Sequence, residues 1–370
     1  MKIIIAPDKF KGSLTSFEVC KAISDGIKKT NEKNEIIEFP MADGGDGFAS
    51  VLQHYLKTDT VICDTVDPLG RSITAFYQWD EKNKIASIEM AVASGLVLLK
   101  EKERNPLLTS TFGTGLLIKH AIEKGAAKII LGLGGSATND GGTGILSALR
   151  FQFVNDKGVL LQASGENLLQ IKKIITPSVL PPVKFEIACD VQNILCGPHG
   201  AAYVYAPQKG ANKEQVELLD RGLRNLADVL NKKTGKDISN EPGTGAAGGI
   251  GAGLLPFFDV QMRKGIELIM EACKIEEQLT DADLLITGEG KIDEQSSSGK
   301  VVGHMTGLAN KYGIPCIAIC GSTELGEEAI KKLGLQKVIA IQDATINKEY
   351  SMHNAASLLE KRAASGLNFL

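Results

Sequence analysis

The feature that most restricts the fold is an alternation of short apolar runs and amphipathic stretches, present at both chain ends and broken between them. Residues 2–6, Lys-Ile-Ile-Ile-Ala, form the continuously apolar run that a strand shows when a parallel sheet buries both its faces. A helix is expected next, because Thr15 and Glu18 have capping-box spacing and Val19, Ile23 and Ile27 recur every four residues. A strand at 35–40 and a helix at 46–57 continue the rhythm. The C-terminal third repeats it, with strands at 283–287, 314–319 and 336–341 and helices at 300–312, 325–333 and 350–363. Such alternation implies parallel strands joined by right-handed crossovers, with helices on both faces.

The middle of the chain behaves differently. Strand candidates at 60–66, 72–79 and 84–90 follow one another directly, separated by Asp67-Pro-Leu-Gly70 and a polar stretch at 80–83, which points to antiparallel or mixed pairing. A long helix is expected to open at Asn212, with Val216, Leu219, Leu223, Leu226 and Leu230 along one face. A chain of 370 residues also exceeds the ~250–300 at which one core stops growing. We therefore expect two domains: a discontinuous α/β domain from 1–70 plus 280–370, and an inserted mixed α/β domain over 71–279.

Composition removes several function classes. With 41 Lys+Arg against 44 Asp+Glu the net charge is −3, which gives no general pull toward nucleic acid or an anionic membrane. The weakly polar stretch 243–258 contains Pro256 and falls short of the ~20 apolar residues of a membrane span. The first residues reach Pro7-Asp8 too soon for a secretory apolar segment, and the seven cysteines form no paired framework, so a cytoplasmic protein with free thiols is expected. Cys189, Cys196 and His199 lack a fourth ligand at zinc spacing. Glycine is in excess, 40 of 370 residues against a usual ~7%, and much of it is gathered in loops.

Five segments concentrate Gly, Asp, Asn and Lys. Ala6-Pro-Asp-Lys-Phe-Lys-Gly-Ser13 follows the first strand, where open α/β sheets bind ligands. Asp8 there suits a metal or a proton, and Lys9 and Lys11 suit a phosphate or carboxylate; a plain turn with solvated lysines is the alternative. Met41-Ala-Asp-Gly-Gly-Asp-Gly47 offers Asp43 and Asp46 to a hard cation, or Asp46 as a helix cap. Gly132-Leu-Gly-Gly-Ser-Ala-Thr-Asn-Asp-Gly-Gly-Thr-Gly144 leads from a strand toward a helix and suits an anion. It also fits a dinucleotide fingerprint weakly, since Asn139-Asp-Gly-Gly142 stands where an apolar helix should already run. Gly243-Thr-Gly-Ala-Ala-Gly-Gly-Ile-Gly-Ala-Gly253 repeats the fingerprint without a strand before it, so close packing or a hinge competes with a ligand loop. Thr287-Gly-Glu-Gly-Lys-Ile-Asp293, running on to Lys300, places Glu289 and Asp293 at a strand end with Lys300 opening the next helix. Together these supply bare amides, carboxylates and lysines, without a Cys-His or Ser-His pattern, as phosphoryl transfer requires.

These motifs, joined by Asp67-Pro-Leu-Gly-Arg71, Glu89-Met-Ala-Val-Ala-Ser-Gly-Leu96, Thr111-Phe-Gly-Thr-Gly115, Cys189-Asp-Val-Gln-Asn193, Cys196-Gly-Pro198 and Pro207-Gln-Lys-Gly-Ala211, make the chain resemble the type-1 glycerate kinases over nearly its whole length. Lys9 and Ile194 stand where Ser and Pro are common in that family. The resemblance implies transfer of phosphate from ATP to D-glycerate with Mg²⁺, at the 2-hydroxyl in preference to the 3-hydroxyl. It also implies a flavodoxin-like, Rossmann-like domain built from both chain ends plus an inserted α/β domain, with the active site between them.

On that resemblance, Lys9, Lys11 and Arg71 are candidates for the glycerate carboxylate, with Asn193 beside them in the substrate set and Lys11 also counted as catalytic. Asp190 is the first candidate for the base and Asp8 the second. Gly134, Gly135, Ser136, Asn139, Asp140 and Gly141, with Gly288 and Lys300, form the nucleotide set. Asp43 or Asp46 would hold Mg²⁺, with Glu289 and Asp293 as alternatives. No nucleic acid or membrane partner is expected, and the chain would be a monomer or homodimer. Two competing functions are an NAD-dependent hydroxy-acid dehydrogenase, resting on the Gly132 and Gly243 patterns, and a non-enzymatic nucleotide-binding regulator.

Overall fold

The structure, a computed structural model, describes residues 1–45, 47–293, 300–343 and 345–366. By internal contacts the chain divides into Met1–Asp43 with Lys264–Leu370, and Gly44–Arg263. The first unit is thus made from both chain ends. Its sheet is wholly parallel, in the order Lys337–Ala340, Cys316–Cys320, Leu284–Gly288, Lys2–Pro7, Glu35–Glu38. Numbered within the unit, that is the flavodoxin-like order 2-1-3-4-5 read from the Glu35–Glu38 edge. The order reverses between Lys2–Pro7 and Leu284–Gly288, where Ile4 lies opposite Leu285 and Pro7 opposite Gly288. Helices leaving these two strands depart to opposite sides, so a crevice opens at their carboxyl ends.

The core of this unit follows the apolar runs. Ile3, Ile5, Ile286, Ile317 and Ile319 pack with Val19, Ile23 and Ile27 of the helix Ser16–Thr30 and Leu359 of the helix Ala355–Gly366. Thr15 and Glu18 close the capping box that the sequence spelled out. The single helix expected over 350–363 is instead two, Lys348–His353 and Ala355–Gly366, separated at Asn354.

The second unit holds a six-stranded mixed sheet in the order Asp259–Arg263, Lys184–Ala188, Lys128–Gly132, Ile85–Glu89, Ser72–Asp80, Asp59–Val66. The first three pairings are parallel and the last two antiparallel, matching the change of rhythm in the middle of the sequence. Asp59–Val66 pairs along its full length with Ser72–Asp80, so it belongs to this sheet. The division therefore falls at 43/44 and 263/264 instead of 70/71 and 279/280. Trp79, Tyr77, Phe153 and Phe185 lie in this unit's core with Leu219, Leu223, Leu226 and Leu230 of the helix Lys213–Thr234. Among the described residues no helix is long and apolar enough to cross a membrane.

Candidate active site

In the first unit, the crevice at the switch point is a cavity of about 430 Å³ lined by Asp8, Lys9, Lys11, Asp43, Glu289, Asp293 and Lys300, among others. Asp8 is placed by the strand it follows, its N–H donating to the Gly288 carbonyl at 2.8 Å. Its carboxylate is 5% exposed and accepts a hydrogen bond from the Lys9 N–H at 2.7 Å. Lys9 Nζ stands 3.6 Å from Asp8 Oδ1 and 3.4 Å from Asp43 Oδ1. Burial pushes the Asp8 carboxyl up to about 7. The Lys9 ammonium opposes that rise, while the Asp43 and Glu289 carboxylates add to it. Glu289, itself 6% exposed, continues from Leu284–Gly288, and Lys300 Nζ approaches Asp293 Oδ1 at 3.9 Å. The sequence folds this way because each loop leaves the carboxyl end of a strand at the same edge of the parallel sheet.

The lining brings Asp8, Asp43, Glu289 and Asp293 together with Lys9, Lys11, Lys291, Lys300 and Lys348, so carboxylate oxygens suited to a hard cation stand beside ammonium groups suited to an anion. Asp8, Asp43, Glu289 and Asp293 are the described residues that fit Mg²⁺ by donor chemistry. Among the described residues no three His, Cys, Asp or Glu side chains are gathered tightly enough to hold a metal by themselves. Asp46, the other expected ligand, lies outside the described residues, as does the 294–299 part of the fifth segment.

In the second unit the third glycine segment leaves Lys128–Gly132 as an irregular loop, and the helix Thr143–Ala148 begins only at its end. A dinucleotide fingerprint would have its helix running there already. The start of that helix already has a carboxyl group of its own. Asp140, fully buried, accepts hydrogen bonds from Thr111 N–H and Oγ1 (both 2.8 Å), Gly142 N–H (3.1 Å) and Gly144 N–H (3.1 Å). Burial raises its carboxyl above the ordinary value against the pull of these donors. Asp140 therefore shapes the loop from inside. The amides of Gly134, Gly135 and Ser136 bond to no other described residue, while the Gly135 carbonyl accepts from Leu96 N–H and Ala137 N–H donates to the Ser94 carbonyl. Gly135 is exposed in a left-handed conformation, φ 69°, so successive bare amides are presented as an anion nest.

A protein-family model described as the glycerate kinase family matches residues 3–369. The chain belongs to the glycerate kinase family. It is 40% identical over 364 residues to the glycerate kinase of Halalkalibacterium halodurans, covering 98% of this chain and 96% of that one. It is 38% identical over 344 residues to the glycerate 2-kinase of Escherichia coli K12, covering 92% and 90%. A crystal structure from Salmonella typhimurium LT2, described as a candidate glycerate kinase 2, superposes with a TM-score of 0.85 at 38% identity over 99% of this chain and 97% of that one. As a member of the glycerate kinase family the chain is a phosphotransferase that uses ATP to phosphorylate glycerate. Neither the dehydrogenase nor the regulator alternative is supported.

Against that family function the expected site residues separate into groups. Asp8, Lys9, Lys11, Asp43, Glu289, Asp293 and Lys300 share one cavity, and Gly288 ends the strand beneath them. Asp190 is exposed just beyond Lys184–Ala188 in the other unit. Arg71 is engaged with Asp67 and Glu103, which occupies its guanidinium within its own unit. Asn193 donates to the His199 carbonyl and accepts from Tyr205 Oη, so it braces its loop. Asn139 is fully buried, and neither of its side-chain polar atoms bonds to a described residue. Gly141 N–H donates to the Gly248 carbonyl at 2.9 Å, and a Cβ on Gly248 would lie 2.1 Å from the Thr138 carbonyl oxygen. The fourth segment is thus packing for the third. Sequence reasoning missed Lys209, which lies 1% exposed under the same loop. It sits in the quoted Pro207-Gln-Lys-Gly motif, but a lysine's burial has no mark in sequence, because most lysines extend their charge into water.

Proposed function

We propose that the chain phosphorylates the 2-hydroxyl of D-glycerate, with Mg²⁺, using the first unit's cavity for the sugar acid and the 134–136 amides for the ATP phosphates. What supports this most is the convergence of Asp8, Asp43 and Glu289 on one strand edge with Lys9 and Lys11 beside them. Lys9 and Lys11 pair with the glycerate carboxylate by charge-assisted bonds. Arg71 leaves that role, since Asp67 and Glu103 hold it.

Asp8 takes the proton from the hydroxyl as the oxygen attacks, a task for which a carboxyl poised near 7 is well matched. Asp43 and Glu289 would hold Mg²⁺, which neutralises charge on the transferring phosphoryl group. Asp190 carries no proton in this scheme, so Asp190→Asn is expected to keep kcat within about tenfold of the parent, measured by ADP release. The seven free thiols are in the state a reducing compartment maintains, which favours the cytoplasm.

The test is phosphorus NMR of the product formed from D-glycerate and ATP. Phosphate on the 2-oxygen couples to one carbon-bound proton and gives a doublet; on the 3-oxygen it couples to two and gives a triplet. A doublet, with turnover stopped by chelating Mg²⁺, is the expected result. A triplet would refute the regiochemistry, and turnover undiminished by the chelator would refute the role of the metal.

A further inference from the structure

Lys209 is a buried lysine to which the phosphoryl transfer gives no part. It lies in the one-turn helix Pro207–Lys209, closed by Gly210 in a left-handed conformation, φ 97°. Its Nζ donates to Ser136 Oγ at 2.7 Å and to the Thr138 carbonyl at 2.6 Å. Among the described residues its Nζ bonds to these two neutral oxygens and to no carboxylate. The charged group acting on it from the loop is Asp140, whose carboxylate is already bonded to Thr111, Gly142 and Gly144. From the segment behind Gly210 the charged residue is Arg104, of the same sign as Lys209. Tyr205, on the preceding helix Ala201–Tyr205, turns its hydroxyl to Asn193.

A buried ammonium without a dedicated carboxylate is costly, and the protein can avoid that cost by releasing the proton. Burial accordingly pushes the Lys209 ammonium down to about 7, with Asp140 opposing. Ser136, which Lys209 grips, is also one of the three residues whose bare amides form the nest. An anion on that nest is the counter-charge that the lysine lacks.

We propose that Lys209 is a positioning residue of the nucleotide site, holding the loop through Ser136 and Thr138 and becoming fully charged by proton uptake when a polyphosphate settles on the 134–136 amides. This rests on the assignment of that loop to the ATP phosphates. A nearby polyanion favours the charged form of a lysine, so binding and protonation are linked. The sign is fixed. Below about pH 6 the ammonium is present before nucleotide arrives and no uptake occurs. Above about pH 8 the empty protein lacks that proton and must gain it, so affinity falls as pH rises, by up to about tenfold per unit.

Titration calorimetry of ATP binding to the full chain, run in buffers of different ionisation enthalpy, reads the uptake directly. At about pH 8.5 the parent is expected to take up close to one proton per nucleotide, and close to none at about pH 6. Lys209→Met is expected to abolish the uptake and to flatten the pH dependence of affinity, which the loss of a purely structural contact would leave in place. Equal uptake in Lys209→Met and the parent would overturn the proposal. So would absence of uptake in the parent at about pH 8.5, a measurement that needs no variant to fold. Gly135→Asp, which sets a carboxylate on the nest, separates the two levels. If it leaves ATP affinity unchanged, the loop assignment itself fails and the Lys209 role falls with it. If it weakens ATP at least about tenfold while Lys209→Met leaves the uptake intact, only the Lys209 role fails.

Discussion

Asp8→Asn is expected to lower kcat/KM for glycerate by about a thousandfold while making the protein more stable at alkaline pH. The loss follows from removing the group that accepts the hydroxyl proton, a contribution of ~10²–10⁴ where a positioned base acts. The gain follows from linkage. The Asp8 carboxyl titrates at about 7 in the folded protein against a model value of 3.8, chiefly because it is buried. Between those values the folded state holds a proton that the unfolded chain has released, so stability falls as pH rises from about 4 to about 7 and the penalty is complete above that. Asparagine carries no such penalty. A gain on the order of 2–4 kcal/mol at pH 8, disappearing below pH 4, is the expected result by denaturant unfolding. A variant that lost activity through damage to the fold would lose stability too.

The same group predicts the pH profile. For the parent, kcat/KM should rise with pH through about 7, because the base works only when deprotonated, and the rise should vanish in Asp8→Asn. Raising Mg²⁺ should move the rise to lower pH, since a dication beside Asp43 and Glu289 favours the carboxylate form of Asp8. A profile insensitive to both Mg²⁺ and the substitution would remove Asp8 from the base role.

The fold was legible in the sequence wherever one strand or helix carried its own periodic signal. The apolar run at Ile3–Ile5, the Thr15–Glu18 cap and the leucine face after Asn212 each specify an element locally, and each is found. Pairing was less legible. Asp59–Val66 has much the same local character whether it ends one sheet or edges another, and only its register with Ser72–Asp80 decides. That Asp8, Asp43 and Glu289 would lie together was legible, because the loops after parallel strands meet at one edge of the sheet. Asp140 is expected from sequence among the nucleotide residues, but sequence does not show that Thr111, distant along the chain, would supply two donors to it. Nor does sequence show that Glu103 and Asp67 would claim the Arg71 guanidinium through folding. Spacing identifies which side chains are near a loop, whereas hydrogen-bond commitment determines which of them remain for a ligand.

Gly248→Ala is expected to destabilise strongly without touching any charged group. Gly248 adopts φ 79°, a conformation that alanine holds only with strain, and its Cβ would meet the Thr138 carbonyl oxygen at 2.1 Å and the Asn139 Cα at 2.6 Å. Both obstacles are backbone, so no side chain can swing aside. Ala247 before it is already left-handed at φ 50°, which leaves little room to redistribute the strain. The loss is expected to reach about 3 kcal/mol or more, and a drop in melting temperature of roughly 6–12 °C would report it. Because Thr138 supplies the carbonyl that Lys209 grips and Gly141 donates to Gly248 itself, the displacement passes directly into the loop. At a temperature where the variant remains folded, KM for ATP should therefore rise more than KM for glycerate. Equal increases in both would mean that this packing supports the second unit in general and not the phosphate loop in particular.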